Sequence, residues 1–131
     1  MRCLALLFLA SIVAGCAGVS ESQCPLGERA MVKADIFFGR GMRDGGEVSE
    51  REWQNFADAE ITPRFPDGFT LLEANGQWRG AEGIVREKSK HLIVVLPTAA
   101  SEKLEAVRAA YKRRFHQEAV LQFETRGCAS F

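Results

Sequence analysis

Between residues 30 and 39 the chain alternates. Val32, Ala34, Ile36 and Phe38 fall on one side, and Lys33, Asp35 and Phe37 on the other. A two-residue period of this kind predicts a half-buried β-strand. A glycine-rich stretch, RGMRDGGEV, comes next, and its glycines at 41, 45 and 46 are expected to supply turn dihedrals. Ser49 and Glu52 then stand at capping-box spacing, ahead of Trp53, Phe56, Ala57 and Ile61 at helical spacing. The pattern predicts an amphipathic helix that stops near Pro63. Phe65-Pro66-Asp67-Gly68 is turn chemistry. Residues 69–74 (FTLLEA) read as a second strand ended by Asn75-Gly76. Residues 91–96 (HLIVVL), almost wholly apolar, read as a central third strand closed by Pro97. Ser101 is placed to cap a second helix, along which Leu104, Val107, Tyr111 and Phe115 share a face. Residues 119–125 (AVLQFET) read as the last strand.

Strand, helix, strand, strand, helix, strand is the order of the split βαβ, or ferredoxin-like, arrangement. The expected fold is therefore an α+β sandwich, with a four-stranded antiparallel sheet and both helices on one face. A chain of 131 residues is one domain's worth of sequence. Lys plus Arg and Asp plus Glu both number 17, so there is no basic surplus and nucleic acid is not an expected partner. Phe37 must point away from the helices if Phe38 points into the core, and the third strand offers apolar residues on both sides. An open sheet face of that character invites a second copy, so a homodimer is expected there.

The first residues read as an address. Met1-Arg2 precedes an apolar run over residues 4–14, too short for a bilayer, which takes about 20 residues. The run ends in Val13-Ala14-Gly15-Cys16, which resembles the lipobox of bacterial lipoproteins. The resemblance implies a signal peptide over 1–15, cleavage before Cys16 and acylation of that cysteine. A tether over 16–29 and a folded domain over 30–131 follow from the same division. Multiple acyl chains, at about 0.8 kcal/mol per buried methylene, would hold the domain durably at a membrane. Ala17 rather than Asp follows the cysteine, which in a Gram-negative source implies the outer membrane facing the periplasm. On this reading Cys3 leaves with the signal and Cys16 is consumed by lipid. Cys24 and Cys128 remain, and in an oxidising compartment they are expected to pair. The ferredoxin-like sheet lays the last strand beside the first, which brings the same two residues together. Their Cα atoms are then expected about 4.4–6.8 Å apart.

Candidate chemistry gathers at one end of the sheet, where the loop over 39–48 meets the hairpin over 75–90. Arg40, Glu47, Trp78 and Arg79 are the candidate ligand-binding residues, since arginine forks beside an aromatic face suit a carboxylate or phosphate. A solvated rim of mixed charge is the alternative. Trp78 stands out, because an aromatic in a polar hairpin can anchor a ligand. No catalytic residues are indicated. Ser49 and Ser101 are taken by helix caps, and Asp58 and Glu60 are two apart on a helix and do not face each other. His91 and His116 lack clustered carboxylates, so each is expected to be structural. Neither a metal nor a cofactor is expected, for the sequence holds no ligand cluster, no Cys-x-x-Cys and no phosphate-loop spacing.

FFGR at 37–40, GEVSEREWQNF, TPRFPDGFTLLEANGQWR at 62–79 and the SK before the third strand resemble the bacterial lipoprotein family catalogued as domain of unknown function 3574. The likeness covers the chain from about Ala30 onward and carries no catalytic residues with it. Two functions stay open. One is a non-catalytic envelope module that binds a small ligand or a partner. The other is a small enzyme of the dimeric ferredoxin-like kind, with a pocket between sheet and helices.

Overall fold

The computed structural model describes residues 24–131 apart from positions 82, 98 and 99. The expected signal peptide, Cys16 and the tether as far as residue 23 lie outside the described residues. Strand β1 (Arg29–Gly39) leads through a loop to helix α1 (Glu50–Phe56), which runs on as a short π-helical turn (Ala57–Ile61). Strands β2 (Thr70–Gly80) and β3 (Gly83–Leu96) form a long hairpin, and helix α2 (Ser101–Phe115) and strand β4 (Leu121–Ala129) complete the chain. The sheet order is β2-β3-β1-β4, with every neighbouring pair antiparallel. This is the expected ferredoxin-like α+β sandwich.

Both helices cover one face. Ala34, Ile36 and Phe38 of β1 and Leu92 and Val94 of β3 point toward them, as the two-residue period requires. Trp53, Phe56, Tyr111 and Phe115 close over Phe38, with ring centroids 4.7–6.1 Å apart in tilted and edge-on contacts. The Ser49–Glu52 capping box forms in both directions. The Ser49 hydroxyl and amide, donating to the Glu52 carboxylate, hold it below the usual range. Helix α1 ends just before Pro63, through the π turn in which the Thr62 amide donates to the Ala57 carbonyl at 2.9 Å. The cap position of α2 falls on Ala100 rather than Ser101, which is the first helical residue.

Cys24 and Cys128 form the expected disulfide, with Cα atoms 5.6 Å apart. It closes a loop of 104 residues, for which chain entropy alone predicts a stabilisation of about 4.7 kcal/mol.

The largest departure lies in the hairpin. Asn75-Gly76 does not end β2, and His91 does not begin β3. The two strands pair without interruption from Thr70↔Ile93 to Gly80↔Gly83. Because β1 pairs with β3 only as far as Gly39↔Ser89, the rest of the hairpin projects as a two-stranded arm beyond the sheet. The chain reverses between Gly80 and Gly83, the latter at φ +133°, and not near the Asn-Gly pair that was expected to end the strand.

Candidate functional site

Two clusters occupy the arm end of the sheet, on opposite faces. The first lies on the helix side and is closed upon itself. Arg40 follows Phe38 by two positions and so points inward, only 6% exposed. Its Nε donates to the Val48 carbonyl at 2.7 Å, and its two terminal nitrogens reach Glu50 at 3.2 Å and Glu47 at 3.3 Å. Lys90, also buried, donates to Glu50 at 2.7 Å and to Glu73, and lies 5.8 Å from the Trp53 ring centroid. The Lys90 hydrogen bonds, with a smaller contribution from the Arg40 charge, hold the Glu50 carboxyl below its ordinary value against the opposing pull of burial. Two buried cations are thus met by three carboxylates, and the cluster pins the start of α1 to the sheet. Arg40 is therefore not available to grip a ligand as the sequence suggested. Its donors are consumed by the fold.

The second cluster faces the other way. On β3, Glu87 points to the open side, opposite Gly76, while Trp78 pairs with Val85. The Trp78 indole donates to Glu87 Oε1 at 2.9 Å, and the Gly41 amide donates to Oε2 at 3.0 Å. The carboxylate lies so close over the loop that a Cβ on Gly39 would meet it at 2.6 Å, and one on Gly41 at 3.0 Å. These two glycines serve close approach, and of the loop glycines only Gly45 takes a positive φ, +84°. Among the described residues no cation stands within salt-bridge range of Glu87. Its neighbours are committed elsewhere, Lys88 to Glu47 at 3.3 Å and Arg43 to Glu118.

Around Glu87 opens a cleft of about 1280 Å³. Trp78 and Val85 wall it on the arm side, Met42 and Glu47 on the loop side, and Gln117 on the turn after α2. Loop and turn are tied together, since the Gln117 amide donates to the Gly41 carbonyl at 2.6 Å. That turn is built on His116, whose left-handed backbone (φ 53°) ends α2, which accounts for this histidine structurally. Phe37 and Leu121, paired across the β1–β4 ladder, form the floor where the cleft runs out onto the open sheet face.

Of the four expected site residues, Glu47 and Trp78 border this cleft. Arg40 lies behind it, and Arg79 points to the opposite face of the arm because it follows Trp78 in a strand. Glu87 was missed by sequence reasoning. The signal available was Gly-x-Gly at a strand end, which marks a close approach to the backbone. Among the described residues no three His, Cys, Asp or Glu side chains cluster as metal ligands.

One further polar pair lies on the open face. His91 Nε2 and Asp35 Oδ1 are 2.7 Å apart, Lys33 reaches Asp35 at 3.0 Å, and His91 stacks on Phe37 at 4.2 Å. Burial pulls the Asp35 carboxyl upward, but the hydrogen bonds from Lys33 and His91 outweigh it and leave the group below its ordinary value.

The model of a family described as a protein of unknown function, DUF3574, matches residues 33–131. The chain belongs to this family. A search of the curated proteins finds no match. Among solved structures, this DUF3574 chain is similar to a phage SAM lyase in complex with S-methyl-5'-thioadenosine. The two are 16% identical at a TM-score of 0.58, over 77% of this chain and 90% of that one. It is also similar to CutA from Synechococcus elongatus complexed with Bis-Tris, at 15% identity and a TM-score of 0.51, over 79% and 87% of the two chains. At such identities the likeness concerns the fold.

Proposed function

We propose that this DUF3574 protein is a non-catalytic small-ligand-binding module of the cell envelope, moored to a membrane through acyl chains on Cys16. Its ligand occupies the cleft over Glu87. The observation that carries the reading is a carboxylate oriented by two N–H donors, facing an open cleft beside a half-exposed indole and without a cation of its own among the described residues. A group placed this way suits a ligand that brings positive charge or N–H donors to Glu87 and lays an apolar or cationic surface on Trp78. Two neighbours in fold hold small molecules, S-methyl-5'-thioadenosine in the phage SAM lyase and Bis-Tris in CutA, which supports the same general use of the scaffold. The lipid mooring rests on the sequence around Cys16.

Native mass spectrometry of the full chain extracted from its host membranes tests the proposal. The wild type is expected to carry a small-molecule adduct. Glu87→Gln and Trp78→Ala are expected to lose it, and Arg79→Ala, on the other side of the arm, to keep it. A wild type free of adduct, or an adduct indifferent to Glu87→Gln, would overturn the assignment. Conversion of the bound species during incubation would instead favour the small-enzyme reading.

A further inference from the structure

We infer that the open sheet face is an interface between copies of this chain, and that a second copy seated there supplies the wall the cleft lacks. The face is built in rows across the sheet. Leu72, His91, Phe37 and Leu121 form one row, and Thr70, Ile93, Asp35 and Phe123 the next. Leu121 and Phe123 are 64% and 61% exposed, and Leu72 on the other edge strand is 46% exposed. Large apolar side chains therefore run from one edge of the sheet to the other, where a solvated face would carry polar ones.

The charged groups near the centre of this face do not oppose burial. Lys33, Asp35 and His91 are bonded to one another within the protomer, so two like copies meet without an unpaired charge between them. Self-complementarity of this sort is what an isologous contact needs, since each patch must face itself. The strand residues of the sheet outside the arm, about 4.8 Å apart across strands and rising about 3.3 Å each, give a footprint of roughly 500 Å² per copy. Two copies then bury about 1,000 Å² before side-chain relief is counted, the lower size limit of a specific interface. Phe37 and Leu121 belong both to the first row and to the cleft floor, so whatever covers the row also borders the cleft. The ligand site is complete only in the assembly.

Sedimentation equilibrium of the full chain in density-matched detergent tests this. Wild type is expected to sediment at a multiple of the mass of one processed chain, measured on the same sample by denaturing mass spectrometry. The double variant Leu121→Glu/Phe123→Glu is expected to weaken association at least 100-fold. Lys103→Glu, on the solvent side of α2, should leave it unchanged. Should the double variant not fold, hydroxyl-radical footprinting of wild type decides. Leu121 and Phe123 are expected to be protected at high protein concentration and to become labelled on dilution. A wild type that stays monomeric at 50 µM overturns the inference. So does association that survives in a folded double variant, or protection that persists at every dilution, which would report a detergent or lipid surface on this face instead.

Discussion

The two faces of the sheet are made from the same four strands and put to opposite ends. On the helix side Ile36, Phe38, Leu92 and Val94 are fully buried under Trp53, Phe56 and Tyr111. Even the charges on that side are spent on the fold, Arg40 on Val48, Glu47 and Glu50, and Lys90 on Glu50 and Glu73. The Tyr111 hydroxyl donates to the Gly39 carbonyl at 2.9 Å, and burial pushes its ionisation well above the ordinary tyrosine value. Among the described residues, no buried charge on that side is left without a partner. On the open side large apolar residues stay exposed, and Glu87 is oriented by N–H donors with no cation paired to it among the described residues. Satisfied groups mark where stability resides. A carboxylate held in place yet lacking a cation is where the proposed ligand is expected.

Substitutions on the two faces should therefore differ in kind. Trp53→Ala empties the centre of the aromatic cluster and is expected to cost about 3–5 kcal/mol in urea unfolding. Phe123→Ala, measured under conditions that keep the protein monomeric, should shift stability by less than about 0.5 kcal/mol. Replacing both Cys24 and Cys128 by Ala is expected to cost about 2–5 kcal/mol, read as the difference between the unfolding midpoints of variant and oxidised wild type. Arg40→Ala is expected to cost about 1–3 kcal/mol, because its carboxylate partners are partly hydrated and only the Val48 carbonyl loses its donor in the interior. If Arg40→Ala leaves stability intact but abolishes ligand binding, the division between the faces is misdrawn.

A smaller effect, shared by the two faces, appears with pH. Asp35 and Glu50 both ionise below their ordinary values in the folded state. Each therefore contributes stability that is fully present above the unfolded value near 4 and is lost as pH falls through the lower folded value. Asp35→Asn is expected to flatten the decline in stability below about pH 4, followed by thermal melts across pH 2–6. Another small effect on stability belongs to Gly39→Ala. Its Cβ meets only the far end of the Glu87 side chain, so stability should change by less than about 1 kcal/mol. The carboxylate must move, however, and the fluorescence of Trp78 should change with it.

The helix-side core was legible because its periods are strong. The alternation in β1, the capping box at Ser49 and the face through Leu104, Val107, Tyr111 and Phe115 each point to one structure, and tertiary packing agrees with all three. The arm was not legible, because a two-stranded ribbon exposed on both sides needs no hydrophobic alternation, and Asn75-Gly76 carries the strongest hairpin signal in the region. Arg40 and Arg79 were drawn into the expected site by their type. The two-residue period puts Arg40, two residues past Phe38, on the helix face with it, and puts Arg79, one residue past Trp78, on the side of the arm away from the indole. Glu87 was hidden because its partner Gly41 lies 46 positions away, a distance no local pattern spans. The pairing of Cys24 with Cys128 was legible because cysteine count and strand order indicate it independently.

The most direct test of the account follows two indole N–H groups and one glycine amide by two-dimensional 1H–15N NMR while tetramethylammonium is added as a cationic probe. The account predicts that the Trp78 indole and the Gly41 amide shift together, that the buried Trp53 indole does not, and that the response disappears in Glu87→Gln. Shifts centred on the helix side, or a Trp78 response unaltered by Glu87→Gln, would contradict it.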